Sequence, residues 1–139
     1  MSILRNTVIK NQCGICLGPP AREVGKVNDS QVIGNTVFDT DVLDGIALTG
    51  DNNSVRSNTI TDSGRSGIFL EGDDNEIRRN NINGAPIGVL ETTGSEGNEI
   101  SGNQFANTPT PIRDTVGKAQ NTAGTAAEPA TTGGIEAFR

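Results

Sequence analysis

The chain has 139 residues, 32% of them apolar, with four Phe and no Trp, Tyr or His. That length corresponds to one domain, but ordinary domains are about 45–50% apolar on a residue set that includes Gly, and with so few aromatic residues a thick globular core is hard to build. A net charge of −6 with no basic face argues against a nucleic-acid partner. No apolar run approaches the ~18 residues of a membrane span, and no signal peptide is visible.

The chain opens on a pattern that then recurs. Asn6 stands three residues after Ile3 and two before Val8, and the same arrangement surrounds Asn35 (Val32, Val37), Asn58 (Val55, Ile60), Asn80 (Ile77, Ile82) and Asn103 (Ile100, Phe105). The asparagines are spaced by 29, 23, 22 and 23 residues. A repeat of that size signals a solenoid, in which thin coils stack and share a narrow core. Between these units lies a third set of apolar residues: Ile15 and Leu17, Ile46 and Leu48, Ile68 and Leu70, Ile87 and Val89, then Ile112. Alternation at period two with β-branched residues predicts three short strands per coil, and no segment carries a helical stripe of useful length. The regular placing also argues against disorder, the other reading of low hydrophobicity.

The expected fold is all-β: a single-stranded right-handed parallel β-helix of about five coils of 22–29 residues, covering residues 1–116. The recurrent Asn falls at a bend and stacks on its equivalents, where a ladder of amides satisfies the buried polar groups. Coil one carries about six extra residues within 18–29, and coil four is short before Ile87, so its register is open by one residue. Residues 117–139, rich in Thr, Ala and Gly, read as a tail or loosely packed end cover, with 134–138 as a candidate closing strand. The first repeat starts directly after Met1, as expected of a fragment or of a domain that stacks on something else. Unpaired strand edges at the ends and an apolar side strip at Ala47 and Phe69 point to a homo-oligomer or to stacking on a neighbouring domain.

Four groups of residues are candidates for chemistry. Asp51, Asp73 and Glu96 recur at one turn position, with Asp74 beside them; on successive coils about 4.8 Å apart they form a row of oxygens that suits Ca²⁺. The competing reading is that Asn, Asp and Gly simply build the turns. Asp39 and Asp62 fall on neighbouring coils, at a spacing near the ~5–5.5 Å of a retaining glycosidase pair, with Asp41, Asp44 and Arg65 close by. Open loops would leave both ordinary solvated carboxylates. Along the first strand of each coil Cys16, Ala47, Phe69 and Gly88 point outward, with Asp44, Glu71 and Glu91 at the margin, so Phe69 and Glu71 are the candidate sugar contacts. Arg56, Arg78 and Arg79 lie on adjacent coils beside Glu76, an arrangement expected of solvated charge pairs. Cys13 and Cys16 form a lone CxxC. Residues three apart in an extended strand lie near 10 Å, too far for a disulfide without a turn, and two thiols make only half a zinc site, so both are read as free cysteines.

The repeats, residues 35–48 (NTVFDTDVLDGIAL) and 58–70 (NTITDSGRSGIFL) above all, resemble the right-handed parallel β-helix family of polysaccharide lyases, hydrolases and epimerases and of periplasmic copper-maturation proteins. They look closest to mannuronan C5-epimerase modules. The resemblance covers about residues 1–116 and implies an extracellular or cell-surface module that binds or acts on an extended polysaccharide. It implies no specific enzyme. The epimerase-like and alginate-lyase-like sites use His and Tyr, and Gly72-Asp73-Asp74 resembles the paired-Asp motif of polygalacturonases without their His. Pectate-lyase-like chemistry, with Ca²⁺ and an Arg base, is what the composition leaves. A non-catalytic structural or self-assembly module is the alternative.

Overall fold

The computed structural model describes residues 1–18, 26–92 and 94–114. The expectations for residues 117–139 lie outside that range. Fifteen strands follow one another in five layers: β1 (Ser2–Leu4), β2 (Thr7–Ile9) and β3 (Ile15–Leu17); β4 (Gln31–Ile33), β5 (Thr36–Thr40) and β6 (Ile46–Thr49); β7 (Ser54–Arg56), β8 (Thr59–Ser63) and β9 (Ser66–Glu71); β10 (Glu76–Arg78), β11 (Asn81–Asn83) and β12 (Ile87–Glu91); and β13 (Glu99–Ser101), β14 (Gln104–Ala106) and β15 (Thr110–Asp114). Every third strand pairs, always in parallel, giving three five-stranded sheets. We call them A (β1, β4, β7, β10, β13), B (β2, β5, β8, β11, β14) and C (β3, β6, β9, β12, β15). Five layers make about four full turns from the first strand of a sheet to its last, slightly fewer than five complete coils.

The core is a set of columns, one residue per coil. Val32, Val55, Ile77 and Ile100 fill the column of sheet A, and Val37, Ile60, Ile82 and Phe105 that of sheet B, each buried. Registers such as Val55↔Ile77 and Ile60↔Ile82 place like on like, so each β-branched side chain packs on its copy above and below. Ile3 and Val8, at the same positions in the first layer, are only partly buried.

The Asn ladder is present. Asn58 Oδ1 accepts from the backbone N–H and side-chain Nδ2 of Asn35 at 2.8 and 3.0 Å. Asn58 Nδ2 donates to Asn80 Oδ1 and to the Val32 carbonyl, both at 2.9 Å. Asn80 and Asn103 repeat the scheme.

A second ladder stands five residues upstream of the first. Asn53, Asn75 and Asn98 are each 1% exposed. Ser30 N–H donates to Asn53 Oδ1, Asn53 to Asn75 Oδ1, and Asn75 to Asn98 Oδ1. The two ladders bracket sheet A and pin both of its bends.

The register of coil four differs from the expected one by two residues. Val89, not Ile87, pairs with Ile68, and Glu91 falls opposite Leu70. The cause is a column of glycines one residue before each inward pair: Gly14, Gly45, Gly67 and Gly88. A Cβ on Gly67 would lie 2.6 Å from Ile82 Cγ2 and 2.9 Å from the Gly88 carbonyl, and one on Gly45 would lie 2.4 Å from Ile60 Cγ2. The chain approaches sheet B so closely there that only glycine fits, and coil four must place Gly88 on that spot.

Candidate functional site

The acidic turns do stack, in a third hydrogen-bonded row. Asp51 N–H donates to Asn28 Oδ1 at 2.8 Å, Asp73 N–H to Asp51 Oδ1 at 2.9 Å, and Glu96 N–H to Asp73 Oδ1 at 2.8 Å. Each of the first three side chains therefore caps the backbone of the next coil. Asp51 also pairs with Lys26 at 3.3 Å, while Asp74 sits exposed at a positive φ of 54°. Among the described residues no group of three or more His, Cys, Asp or Glu is placed to hold a metal ion. One carboxylate oxygen of Asp51 and one of Asp73 face N–H groups, and the calcium expected at Asp51, Asp73, Asp74 and Glu96 finds no support in this arrangement.

Asp39 and Asp62 are neighbours in the β5–β8 register, which pairs Phe38 with Thr61 and Thr40 with Ser63. Both take positive φ, 66° and 56°. Lys10 binds Asp39 at 2.8 Å. That hydrogen bond and its positive charge hold the Asp39 carboxyl below the usual carboxylate range, so Asp39 is kept ionised and unsuited to acid catalysis.

Arg65 is committed elsewhere. Its Nε donates to Asp44 Oδ1 at 3.0 Å and its Nη2 to Asp44 Oδ2, while Ser66 Oγ donates to the same carboxylate. The Asp44 bond raises the Arg65 pKa above its ordinary value. Asp44 is 1% exposed, so the expectation that it lies at the solvent margin is corrected. From this anchor the guanidinium carbon sits 4.7 Å from the centroid of the Phe69 ring. Sequence reasoning placed Arg65 near Asp44 but did not identify the pair as the support of Phe69.

The outward row of sheet C reads Cys16, Ala47, Phe69, Leu90 and Arg113. Leu90 occupies the place expected for Gly88, which is buried. Ala47, Phe69 and Leu90 are half-buried, Cys16 and Arg113 exposed, and Glu71 flanks the row opposite Thr49. Arg78 pairs with Glu76 on sheet A, both partly solvated, as expected.

Glu91 is the second acid wrongly placed at the margin. It is fully buried, at the inward position that Leu17, Leu48 and Leu70 fill in the coils before. Its Oε2 accepts from Asn98 Nδ2 at 2.9 Å. In the second ladder the equivalent donor reaches the Asn of a following coil; among the described residues the Glu91 carboxyl takes that place. Replacing Glu91 by Ala should destabilise the fold by about 2–4 kcal/mol through a cavity and a lost acceptor. Glu91→Gln, which keeps an acceptor oxygen, should lose less than half as much in urea denaturation. Equal losses would refute the capping role.

Cys13 and Cys16 are joined in a disulfide, with Cα atoms 6.2 Å apart. The free-cysteine expectation fails because the chain bends at residues 12–14 before entering β3, which shortens the extended-strand separation to bonding range.

Comparison with known proteins returns one family. Residues 1–131 match the model described as periplasmic copper-binding protein (NosD). No curated protein and no solved structure gives a significant match. The match spans most of the chain and agrees with a parallel solenoid built on buried Asn columns. The chain belongs to the periplasmic copper-binding protein (NosD) family.

Proposed function

We propose that the chain is a non-catalytic β-helix module that binds an extended, uronate-bearing polysaccharide along sheet C. The observation that carries this reading is the Arg65–Phe69 pair. Asp44 is buried and takes the Nε and Nη2 of Arg65, which leaves the Nη1 side of the guanidinium for a ligand carboxylate. Ala47 and Leu90 extend the apolar surface one coil to each side of Phe69, and Arg113 adds a second cation beyond Leu90. A polymer lying along the coils meets this row at a repeat of about 4.8 Å. Binding rather than turnover follows from the state of the acids: Asp51 and Asp73 cap backbone, Asp39 is tied to Lys10, and Asp44 and Glu91 are buried.

The test is retention on immobilised uronate polymers and on neutral glucans. The wild type should be retarded on a uronate polymer and not on the glucans. Phe69→Ala should weaken that retention about five- to thirtyfold, the scale of losing about 1–2 kcal/mol of stacking and cation contact. No retention on any polymer would overturn the reading.

A structural module is the second reading, favoured by the first layer. The outer edges of β1, β2 and β3 have no strand partner among the described residues, and Met1, Leu4 and Ile9 are exposed. Such edges pair readily with another chain. Mass that rises with concentration in light scattering, with no polymer binding, would select this reading.

A further inference from the structure

We propose that Arg56, Arg78 and Arg79, at the bend between sheets A and B, form a binding site for a phosphate monoester group. The fold assembles it. Arg56 and Arg78 are register neighbours in β7 and β10, on the outward column of sheet A that reads Leu4, Ile33, Arg56, Arg78 and Ser101. Parallel pairing sets such neighbours about 4.8 Å apart. Arg79 follows at the bend, exposed and at φ 58°. Its equivalent one coil earlier is the small Ser57, whose N–H donates to the Arg78 carbonyl at 3.3 Å. Three guanidinium groups are thus gathered on two adjacent coils of a chain whose net charge is −6.

The acids beside them do not match them all. Arg78 Nε pairs with Glu76 Oε2, and Ser54 Oγ donates to the other oxygen of that carboxylate. Glu99, the register neighbour of Glu76, stands with it on the other outward column of sheet A. Among the described residues neither Arg56 nor Arg79 has an ion pair. Arg56 Nε is moreover buried with no hydrogen-bond partner, a donor of the kind that native structures almost always satisfy. Like charges directly opposed across two strands destabilise a sheet. An anion held between them turns that repulsion into attraction and supplies the missing acceptors.

Geometry and charge select the ligand. A carboxylate offers two oxygens, which a single guanidinium fork saturates. Forks on neighbouring coils call for an anion with at least three oxygens on one centre. A phosphate monoester has them and carries about −1.5 to −2 charge at pH 7, close to the two positive charges that Arg56 and Arg79 leave unmatched. Arginine suits such a group because its planar donors meet phosphate oxygens in pairs. On the sheet B side of the bend the outward row is Thr59, Asn81 and Gln104, which sets neutral hydrogen-bonding groups, and no carboxylate, beside the anion.

The test titrates inorganic phosphate into the full chain and follows the amide NMR signals of Ser57 and Arg79 with the Nε–H signal of Arg56. These should shift to a plateau while the amides of sheet C stay in place, and glucuronate at the same concentrations should leave all three where they are. Arg79→Ala should weaken binding about fivefold or more, the upper end for an exposed ion pair. Arg56→Lys, which keeps the charge and removes the fork, should do the same, each variant with an unchanged circular dichroism spectrum. Phosphatidylcholine vesicles with and without phosphatidic acid then identify the source of the group. Co-sedimentation that needs both phosphatidic acid and Arg79 assigns it to a lipid headgroup, and phosphate binding without co-sedimentation assigns it to a soluble ester. No saturable shift with phosphate, an equal response to glucuronate, or undiminished binding by both variants would overturn the proposal. The outcome is independent of polymer retention, which depends on Phe69 of sheet C.

Discussion

Asn58→Ala should lower the unfolding free energy by about 2–4 kcal/mol, because the change orphans buried groups on two coils at once. Asn35 N–H loses its acceptor, and the Val32 carbonyl and Asn80 Oδ1 each lose a donor. With the site 1% exposed, little water reaches those groups. Asn58→Asp is the sharper variant: it keeps an acceptor for Asn35 and removes both donors, turning oxygen toward oxygen. It should be at least as damaging as Ala, although it is nearly isosteric. Asn81→Ala supplies the control, since Asn81 is exposed on the outer face of sheet B and should stay within about 0.5 kcal/mol of wild type. Urea denaturation of the three variants decides the matter. An Asn58→Ala loss no larger than that of Asn81→Ala would contradict the ladder as a source of stability.

The second large effect belongs to Gly72→Ala. Gly72 has φ +140°, and a Cβ there would stand 2.0 Å from the Gly50 carbonyl oxygen and 2.7 Å from its carbon. The obstacle is backbone, which no rotamer change relieves. Gly50 repeats the geometry one coil down, with φ +149° and the Val27 carbonyl 2.2 Å from its ideal Cβ. The same carbonyls anchor the second ladder: Gly50 accepts from Asn75 Nδ2 at 2.9 Å and Val27 from Asn53 Nδ2 at 2.8 Å. Displacing them breaks hydrogen bonds as well as packing. Gly72→Ala should therefore lose about 3–5 kcal/mol, combining backbone strain with overpacking. Gly94→Ala separates the two causes, because Gly94 has φ +94° with nothing within 4 Å of its ideal Cβ. It should lose about 1–2 kcal/mol, from the left-handed backbone alone. Equal effects at the two glycines would mean that the close approach of coils is not limiting.

The columns that repeat faithfully were legible in the sequence. Asn58 and its equivalents, with Val55 before and Ile60 after, announce a coil because every copy obeys the same packing rule. What escaped were positions where one copy departs. Glu91 sits where three leucines stand in the coils before it, and an acid after Val89 and Leu90 reads as the polar end of a strand. A clue was present in Gly14, Gly45, Gly67 and Gly88, each directly before an inward Ile or Val. Aligning coil four on Gly88 gives the observed register. The second ladder had a clue too, since Asn53, Asn75 and Asn98 each lie five residues before a ladder Asn, but in a chain rich in Asn turns that spacing did not stand out from turn chemistry. The disulfide was beyond reach for a different reason. Sequence separation alone cannot say whether CxxC is extended or bent, and the bend is set by hydrogen bonds to residues 43–45. Arg65 over Phe69 depends likewise on the burial of Asp44.

The Asn columns also give the rod a direction. In both, every Oδ1 accepts from the coil before it, so the side-chain carbonyl dipoles point the same way and add, as peptide dipoles do along a helix. The Asn28–Asp51–Asp73 row, accepting from the coil after, runs the other way. Two interior columns of one sense thus stand against a solvated row of the opposite sense. Glu91 stands at the donor side of the last described Asn of an interior column, where its Oε2 accepts from Asn98 Nδ2. A solenoid of this kind is electrically polarised along its axis, with its interior and its rim oriented in opposition.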